Sequence, residues 1–111
     1  MFNKVLIIGC GLIGSSILRA IISKKLSKKI FISEKSKSNI SKIKKIKSNY
    51  TFIKNINSEI FDCDLVIICT PMNQYKNIIQ KLNQRLKMGS LITDVSSTKQ
   101  NVIKLKNKVL N

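Results

Sequence analysis

Near its N-terminus the chain has a short apolar strand that runs directly into a cluster of glycines, and this feature constrains the fold more than any other. Residues 4–16 read KVLIIGCGLIGSS, so Gly9, Gly11 and Gly14 follow the apolar run 5–8. A continuous apolar run is typical of a strand buried on both faces of a parallel sheet. The glycines then favour a tight turn into a helix, so we expect the chain to begin with a βαβ unit.

Each glycine of this turn has its own role in such a unit. Gly9 permits the tight turn from the strand, Gly11 lets the backbone approach a diphosphate without an intervening Cβ, and Gly14 allows the helix to pack closely on the strand. The diphosphate would lie at the helix N-terminus, where unpaired N–H groups and the helix dipole favour an anion. The turn, including Leu12 and Ile13, is therefore predicted to bind a dinucleotide cofactor.

An acidic residue stands where the second strand of this unit should end. The predicted strand 29–33 leads to Glu34, twenty positions after the last of the three glycines. A carboxylate there can accept hydrogen bonds from both hydroxyls of the adenosine ribose, which favours NAD over the 2′-phosphorylated NADP. Lys35 and the two residues after it leave NADP open, because such side chains could hold a 2′-phosphate. The alternative without a nucleotide is an α/β domain with an ordinary glycine turn and a surface glutamate.

Strand and helix patterns alternate along the chain, which predicts a doubly wound parallel α/β sheet (Rossmann-like) in one domain over residues 1–111. The expected elements after the first strand are a helix at 13–22, a strand at 29–33, a helix near 38–47, a strand at 50–53, a helical turn near 57–61, a strand at 64–70, a helix at about 73–86, a strand at 90–94, a polar turn at 95–99 and a final helix.

Apolar spacing predicts the inner faces of the helices. The first helix carries Ile13, Ile17, Ala20 and Ile21 at i, i+4, i+7 and i+8. The inner faces expected for the later helices are Ile40, Ile43 and Ile46; Ile78, Ile79, Leu82 and Leu86; and, in the final helix, Val102, Ile103, Lys106, Val109 and Leu110.

Three loops that lie far apart in the sequence are expected to meet at one edge of the sheet. Ligands of doubly wound sheets bind outside the carboxyl ends of the strands, where the strand order reverses. The glycine turn, residues 70–73 and residues 95–99 all follow predicted strands, so Thr70, Pro71 and Ser96 are candidate cofactor contacts. These residues also suit helix initiation and N-capping, and both roles are compatible because exposed N–H groups and hydroxyls serve either purpose.

The chain is strongly basic, with a formal net charge of +16 from 21 basic and 5 acidic residues. Such a charge raises the question of a nucleic-acid partner. The 19 lysines are spread over predicted helices and loops, however, and only two residues are arginine. Nucleic-acid modules usually combine a focused basic stripe with arginines and interleaved aromatic residues. We therefore expect no specific nucleic-acid partner.

Cysteine usage and hydropathy favour a reducing compartment without membrane association. Cys10, Cys63 and Cys69 are odd in number and lack metal-ligand spacing, and the chain has no histidine, so no metal site is predicted. Packed, reduced thiols fit the cytoplasm. No apolar segment approaches the roughly 18 residues of a membrane span, so no membrane partner is expected.

Three segments together resemble the N-terminal half of the prephenate/arogenate (cyclohexadienyl) dehydrogenase family, and the resemblance covers all 111 residues. They are VLIIGCGLIGSS at 5–16, DLVIICTP at 64–71 and DVSSTK at 94–99. The third segment best separates this family from related hydroxyacid dehydrogenases and pyrroline carboxylate reductases, which share the first. The family pattern there is similar to Asp-Val-Gly-Ser-Val-Lys, and this chain departs from it at Ser96 and Thr98.

The resemblance implies an NAD(P)-dependent oxidative decarboxylation of prephenate or arogenate in tyrosine biosynthesis, with hydride transfer to the cofactor. The serine that matches Ser97 lies beside the nicotinamide in this family, which makes Ser97 the candidate catalytic residue. The family's histidine follows in a His-Pro segment that this sequence does not contain. The chain is thus expected to be a fragment that ends before a sixth strand and a helical C-terminal domain. The fragment alone is expected to be inactive, and the full-length protein to be a homodimer.

Two other interpretations stay open at this point. The chain could be the cofactor domain of another hydroxyacid dehydrogenase or imine reductase, which would share the glycine turn. It could also be a non-enzymatic nucleotide-binding module.

Overall fold

The computed structural model describes residues 2–9, 11–54, 56, 60–70, 75–94 and 102–105. Its elements, in chain order, are β1 (Phe2–Ile8), α1 (Leu12–Ser23), β2 (Ser27–Ser33), α2 (Lys37–Ile43), β3 (Thr51–Ile53), β4 (Leu65–Ile68), α3 (Tyr75–Arg85), β5 (Leu91–Asp94) and β6 (Val102–Leu105). The alternation of strands and helices confirms the predicted α/β class.

Within the described residues, the strands form one sheet in the order β3-β2-β1-β4-β5-β6. The central strand β1 pairs in parallel with β2, where Val5 lies opposite Ile30, and with β4, where Val5 lies opposite Leu65. The β2–β3 and β4–β5 pairs are also parallel. Because the chain crosses from β3 at one edge to β4 on the far side of β1, the strand order reverses between β1 and β4. Ligands of doubly wound sheets bind at such a reversal.

The last described segment differs from the prediction. The apolar spacing predicts a final helix, and the family resemblance implies a chain that ends before a sixth strand. Val102–Leu105 is instead a sixth strand, antiparallel to β5. Pairing with β6 satisfies backbone groups that β5 would otherwise expose at an open edge, and the segment begins with two β-branched residues, which suit a strand. The other predicted members of the helix, Lys106, Val109 and Leu110, lie outside the described residues.

The sheet separates two apolar layers that together form the core. Leu6 and Ile8 of β1 belong to one layer, and Val5 and Ile7 belong to the other, as the alternation of side chains along a strand requires. Both faces of β1 are therefore buried, which confirms the interpretation of its continuous apolar run. The helices contribute buried side chains to these layers: Leu18 and Ile21 from α1, Ile43 from α2 and Leu82 from α3.

Helix α1 turns only part of its predicted inner face toward the sheet. The apolar spacing places Ile13 and Ala20 on the inner side, but Ile13 is 58% exposed and Ala20 is exposed as well. The other two predicted residues do face the sheet, since Ile21 is buried and Ile17 packs against the same layer. Gly14 and Leu18 are buried beside them. Consecutive helical residues point in directions about 100° apart. Presenting the small Gly14 to the sheet therefore directs its neighbour Ile13 outward.

The inner faces of the later helices agree with the prediction. Ile43 is fully buried in α2, while Ile46, which lies beyond the end of that helix, is partly buried in the same layer. On the other side of the sheet, Leu82 and Leu86 are buried and Ile78 packs against their layer. The spacing succeeds here because these helices contain no glycine that has to face the sheet.

Two acidic residues accept hydrogen bonds that link segments at the amino-terminal edge of the sheet. Asp62 accepts a hydrogen bond from Lys4 Nζ at 2.6 Å, and this bond lowers the pKa of the Asp62 carboxyl below its ordinary value. Asp64 accepts from the Asn3 N–H at 2.6 Å and from Lys87 Nζ at 3.0 Å. These two donors likewise lower the pKa of Asp64. Both carboxylates thus stabilise the start of β1, β4 and the loop that precedes β4.

Helix α1 ends in a backbone motif that usually contains glycine. The Leu26 N–H donates to the Ile21 carbonyl at 3.0 Å, and the Lys25 N–H donates to the Ile22 carbonyl at 3.2 Å. This pair of bonds is the Schellman motif, which requires a left-handed residue just after the helix. Lys25 takes that position with a φ of 52°.

Candidate functional site

The turn between β1 and α1 requires glycine at its first position. Gly9 has a φ of +77°, and its N–H donates to the carbonyl of Ser33 at 2.8 Å. A Cβ on Gly9 would lie 2.5 Å from Thr70 Cγ2 and 3.2 Å from the Thr70 backbone nitrogen. Both conformation and space therefore exclude a side chain, which confirms the role predicted for Gly9 in the tight turn.

The second glycine of the turn is different, because the protein itself leaves room for a side chain there. Gly11 is the N-cap residue of α1, with a φ of −77°, and its carbonyl accepts a hydrogen bond from the Ser15 N–H at 2.8 Å. A Cβ on Gly11 would have Asn39 Nδ2 as its neighbour at 3.8 Å, an ordinary contact distance. Gly11 and Asn39 both line a cleft that opens at the carboxyl ends of the strands.

This cleft has a volume of about 430 Å³ and lies where the strand order reverses. Its size falls within the range typical of small-molecule sites. Residues from β1, β2 and the segments that follow β1, β2, β3 and β4 line it: Ile8, Gly9, Gly11, Ser33, Glu34, Lys35, Ser36, Asn39, Lys54, Ile56, Cys69, Thr70, Ile78 and Lys81. The structure thus brings together Gly9, Gly11, Glu34, Lys35 and Thr70 from the predicted set.

Glu34 lies directly after β2, and its carboxylate is held by several donors. Oε2 accepts hydrogen bonds from the backbone N–H groups of Lys35 and Ser36, both at 3.0 Å. Oε1 accepts from Asn39 Nδ2 at 3.4 Å. Because a carboxylate has about four acceptor positions, it can still accept from a ligand in the cleft.

Two polar residues at the start of α2 belong to the same arrangement. Ser36 is the N-cap residue, and its Oγ accepts a hydrogen bond from the Asn39 N–H at 3.3 Å. The candidate residues predicted from the sequence do not include Asn39, although it lines the cleft and contacts Glu34. A serine followed three residues later by a side chain that can hydrogen-bond back is a helix-start pattern, and this signal could have drawn attention to Asn39.

Positive charge surrounds much of the cleft. The exposed residues Lys35, Lys54 and Lys81 line it together with Glu34. Lys54 and Lys81 were not predicted, because they lie far from the glycine turn in the sequence and reach the cleft only through the fold. Three lysines beside one glutamate make the cleft attractive to an anionic ligand.

The end of β4 places a hydroxyl and a thiol at the cleft. Thr70 Oγ1 is buried and has no hydrogen-bond partner among the described residues. Cys69 is partly buried, and neither it nor Cys63 forms a disulfide bond. Cys63 is fully buried away from the cleft, and burial raises the pKa of its thiol to about 12. The predicted packed thiols are thus confirmed for these two cysteines.

The other predicted site residues have different positions in the structure. Leu12 is the first residue of α1, Ile13 is exposed beside it, and Gly14 is buried against the sheet. Pro71, Ser96 and the candidate catalytic Ser97 lie outside the described residues.

Comparison with known families matches the chain over most of its length. Residues 17–111 match the model of the family described as prephenate dehydrogenase, nucleotide-binding domain. The chain belongs to this family. The match begins after the glycine turn, so it is independent of the motif from which the cofactor site was first predicted. No curated protein sequence matched the chain.

Solved structures of the prephenate dehydrogenase family share the fold. The prephenate dehydrogenase from A. aeolicus, in complex with hydroxyphenyl propionate and NAD+, has 26% identity and a TM-score of 0.71, covering 85% of this chain and 33% of that one. Synechocystis arogenate dehydrogenase has 20% identity and a TM-score of 0.69, covering 96% of this chain and 37% of that one. The chain therefore spans about a third of the length of these solved relatives.

The same fold also occurs in enzymes of another class. An RNA methyltransferase from Salinibacter ruber, in complex with S-adenosyl-L-homocysteine, has 14% identity and a TM-score of 0.66, covering 83% of this chain and 63% of that one. The fold alone therefore does not distinguish dehydrogenases from methyltransferases. The assignment of this chain to its family rests on the match to the family model. Among the described residues, no helix is both long and apolar enough to cross a membrane.

Proposed function

We propose that this chain binds NAD as the nucleotide-binding part of an enzyme that oxidatively decarboxylates prephenate or arogenate in tyrosine biosynthesis. The observation that carries the proposal is the contrast between two glycines. Gly9 is required by the protein's own packing, whereas Gly11 lines the cleft and a Cβ there would meet no close protein neighbour. Gly11 lies at the N-terminus of α1, where a diphosphate is favoured.

The residues around the cleft fit a dinucleotide. The backbone of Gly11, Leu12 and Ile13 would hold the pyrophosphate, since Gly11 has no side chain that could cap α1. Glu34 would accept hydrogen bonds from the adenosine ribose. Thr70 Oγ1, which has no partner among the described residues, would be near the bound cofactor. When bound, NAD+ supplies the hydride acceptor for the reaction.

We favour NAD over NADP because of the way in which Glu34 is held. The N–H groups of Lys35, Ser36 and Asn39 donate hydrogen bonds to its two oxygens. These bonds hold the carboxylate in one orientation, in which it can act only as a hydrogen-bond acceptor. A negative carboxylate beside the ribose repels a 2′-phosphate. Lys35 and Lys54 line the same cleft and would partly offset this repulsion, so the preference is one of degree.

The remaining parts of the proposal rest on the family. Ser97 would lie beside the nicotinamide and orient the substrate hydroxyl, and Pro71 and Ser96 would contact the cofactor. Loss of carbon dioxide makes the substrate ring aromatic, so the protein's main task is to orient substrate and cofactor. We further propose a homodimeric full-length enzyme in the cytoplasm, a location that suits Cys63 and Cys69 without a disulfide bond.

Replacing Gly11 with valine tests the proposed cofactor geometry. We expect NADH binding, measured by titration calorimetry, to fall below detection in the Gly11→Val variant because its side chain would occupy the pyrophosphate position. Since the protein leaves room there, the variant should still fold, at a cost of about 1 kcal/mol for the poorer N-cap residue. Ser23→Val, an exposed change at the other end of α1, is the matched control and should bind NADH normally. Unchanged affinity in Gly11→Val would refute the geometry.

Assays of the complete protein separate the proposed reaction from its alternatives. NADH formation should be seen with prephenate or arogenate and not with a 3-hydroxyacid. A duplex oligonucleotide should not bind at physiological salt. Salt-resistant duplex binding without NADH binding would instead support a nucleic-acid-binding module.

A further inference from the structure

Asn39 lies between the two parts of the cleft that are proposed to contact the cofactor. Its Nδ2 donates to Glu34 Oε1 at 3.4 Å. The same Nδ2 is 3.8 Å from the position of a Cβ on Gly11. The side-chain amide therefore spans the distance between the glycine turn after β1 and the carboxylate after β2, and it lines the cleft between them.

We propose that Asn39 is a positioning residue that sets the preference for NAD over NADP by holding the Glu34 carboxylate in the cleft. This inference rests on the proposed binding of NAD. The two oxygens of Glu34 are held differently. Oε2 is held by backbone N–H groups that no side-chain substitution removes, whereas Oε1 accepts its hydrogen bond from the Asn39 side chain.

Losing the Asn39 amide would affect the two cofactors in opposite directions. Without that donor, the carboxylate can rotate about the bonds near Oε2 and turn Oε1 away from the cleft. NAD then loses a well-placed acceptor for its ribose hydroxyls. NADP loses part of the repulsion against its 2′-phosphate, while Lys35 and Lys54 remain in the cleft to attract that phosphate.

The local backbone should survive substitution of Asn39. The N-cap bond at the start of α2 uses the backbone N–H of Asn39 and the Ser36 side chain, so alanine at position 39 retains it. Aspartate at position 39 has the same shape as asparagine, and an acidic residue in the first turn favours the helix. It cannot donate to Glu34, however, and its charge repels that carboxylate.

The experiment measures NADH and NADPH affinities by titration calorimetry for the wild-type protein, Asn39→Ala, Asn39→Asp and Ser38→Ala. The last is an exposed change on the same helix and should behave as the wild type. In Asn39→Ala, NADH affinity should fall by about three- to tenfold, the range for one hydrogen bond, and NADPH affinity should fall less or rise. Asn39→Asp should weaken NADH binding at least as much, with an unchanged melting temperature.

The outcomes separate this inference from the function on which it rests. Equal losses of NADH and NADPH affinity in Asn39→Ala would indicate a merely structural role and overturn the inference, while the proposed function would stand. Normal NADH binding by Asn39→Asp would overturn it as well. Failure of the wild-type protein to bind either cofactor would overturn the proposed function and this inference together.

Discussion

Lys25 shows how a single residue can limit the stability of this domain. It occupies the left-handed position of the Schellman motif after α1 with a φ of 52°. A side chain in that conformation costs about 1–2 kcal/mol, because its Cβ crowds the following carbonyl. Glycine avoids this cost but loses more chain entropy on folding, by about 0.5–1 kcal/mol.

The Lys25→Gly variant is therefore expected to be more stable than the wild type by about 0.5–1 kcal/mol. Urea denaturation would show the gain as a higher midpoint at an unchanged slope. Lys24→Gly is the matched control, because Lys24 has a φ of −93° and gains nothing from glycine. That change should lower the stability, so a loss of stability in both variants would argue against strain at Lys25.

At the same scale, the site residues differ in how far the sequence could predict them. Gly9, Gly11 and Glu34 could be identified because their spacing follows from one local βαβ unit. Lys54 and Lys81 could not be ranked in this way, since their importance depends on which elements the fold places around the cleft. Local spacing finds residues within one unit and misses those supplied from outside it.

Among the elements, the prediction succeeds where one local signal dominates and fails where packing decides. The continuous apolar run of β1 has one interpretation, a strand buried on both sides, and the structure confirms it. The inner face predicted for α1 was wrong at Ile13 and Ala20 because Gly14 has to face the sheet. The final segment was wrong because the unpaired edge of β5 decides between helix and strand, and no local pattern reports that edge.

The link between the starts of β1 and β4 makes a prediction about acid stability. The pKa values of Asp62 and Asp64 are lowered in the folded protein, by Lys4 and by the Asn3 N–H with Lys87 respectively. Groups with lowered pKa values stabilise the fold above their unfolded pKa, near 4, and this contribution disappears as the pH falls through the folded values. The free energy of unfolding should therefore decline below about pH 4.

Urea denaturation at a series of pH values checks this expectation. In the double variant Asp62→Asn/Asp64→Asn, the decline between neutral and acid pH should be shallower, with lower stability at neutral pH. If the free energies of unfolding of wild type and variant fall in parallel with pH, other carboxyl groups control the loss of stability in acid.

On the scale of the whole molecule, charge is expected to affect how strongly the cleft binds the proposed dinucleotide. The net charge of +16 and the lysines that line the cleft attract an anionic dinucleotide over a distance that salt controls. The Debye length shrinks from about 30 Å at 0.01 M salt to about 3 Å at 1 M. NADH affinity should therefore fall steadily as NaCl is added.

Calorimetric titrations at several NaCl concentrations would measure this dependence. The double variant Lys54→Gln/Lys81→Gln should bind NADH more weakly at low salt and show a shallower dependence. Lys28→Gln removes one positive charge near the amino end of β2, away from the cleft, and serves as the control. A salt dependence that Lys28→Gln reduces as much as the double variant would indicate net charge rather than the cleft lysines.

The contrast between Gly9 and Gly11 also has a consequence for how related chains can evolve. One glycine is required by the chain's own packing, and the other, under the proposed function, by the dinucleotide that the cleft binds. A descendant that kept the fold but abandoned the nucleotide would be free to change only the second. Among chains of this architecture, some should keep glycine at the position of Gly9 and carry a side chain at that of Gly11. Such a pattern would identify relatives that have kept the fold and lost nucleotide binding.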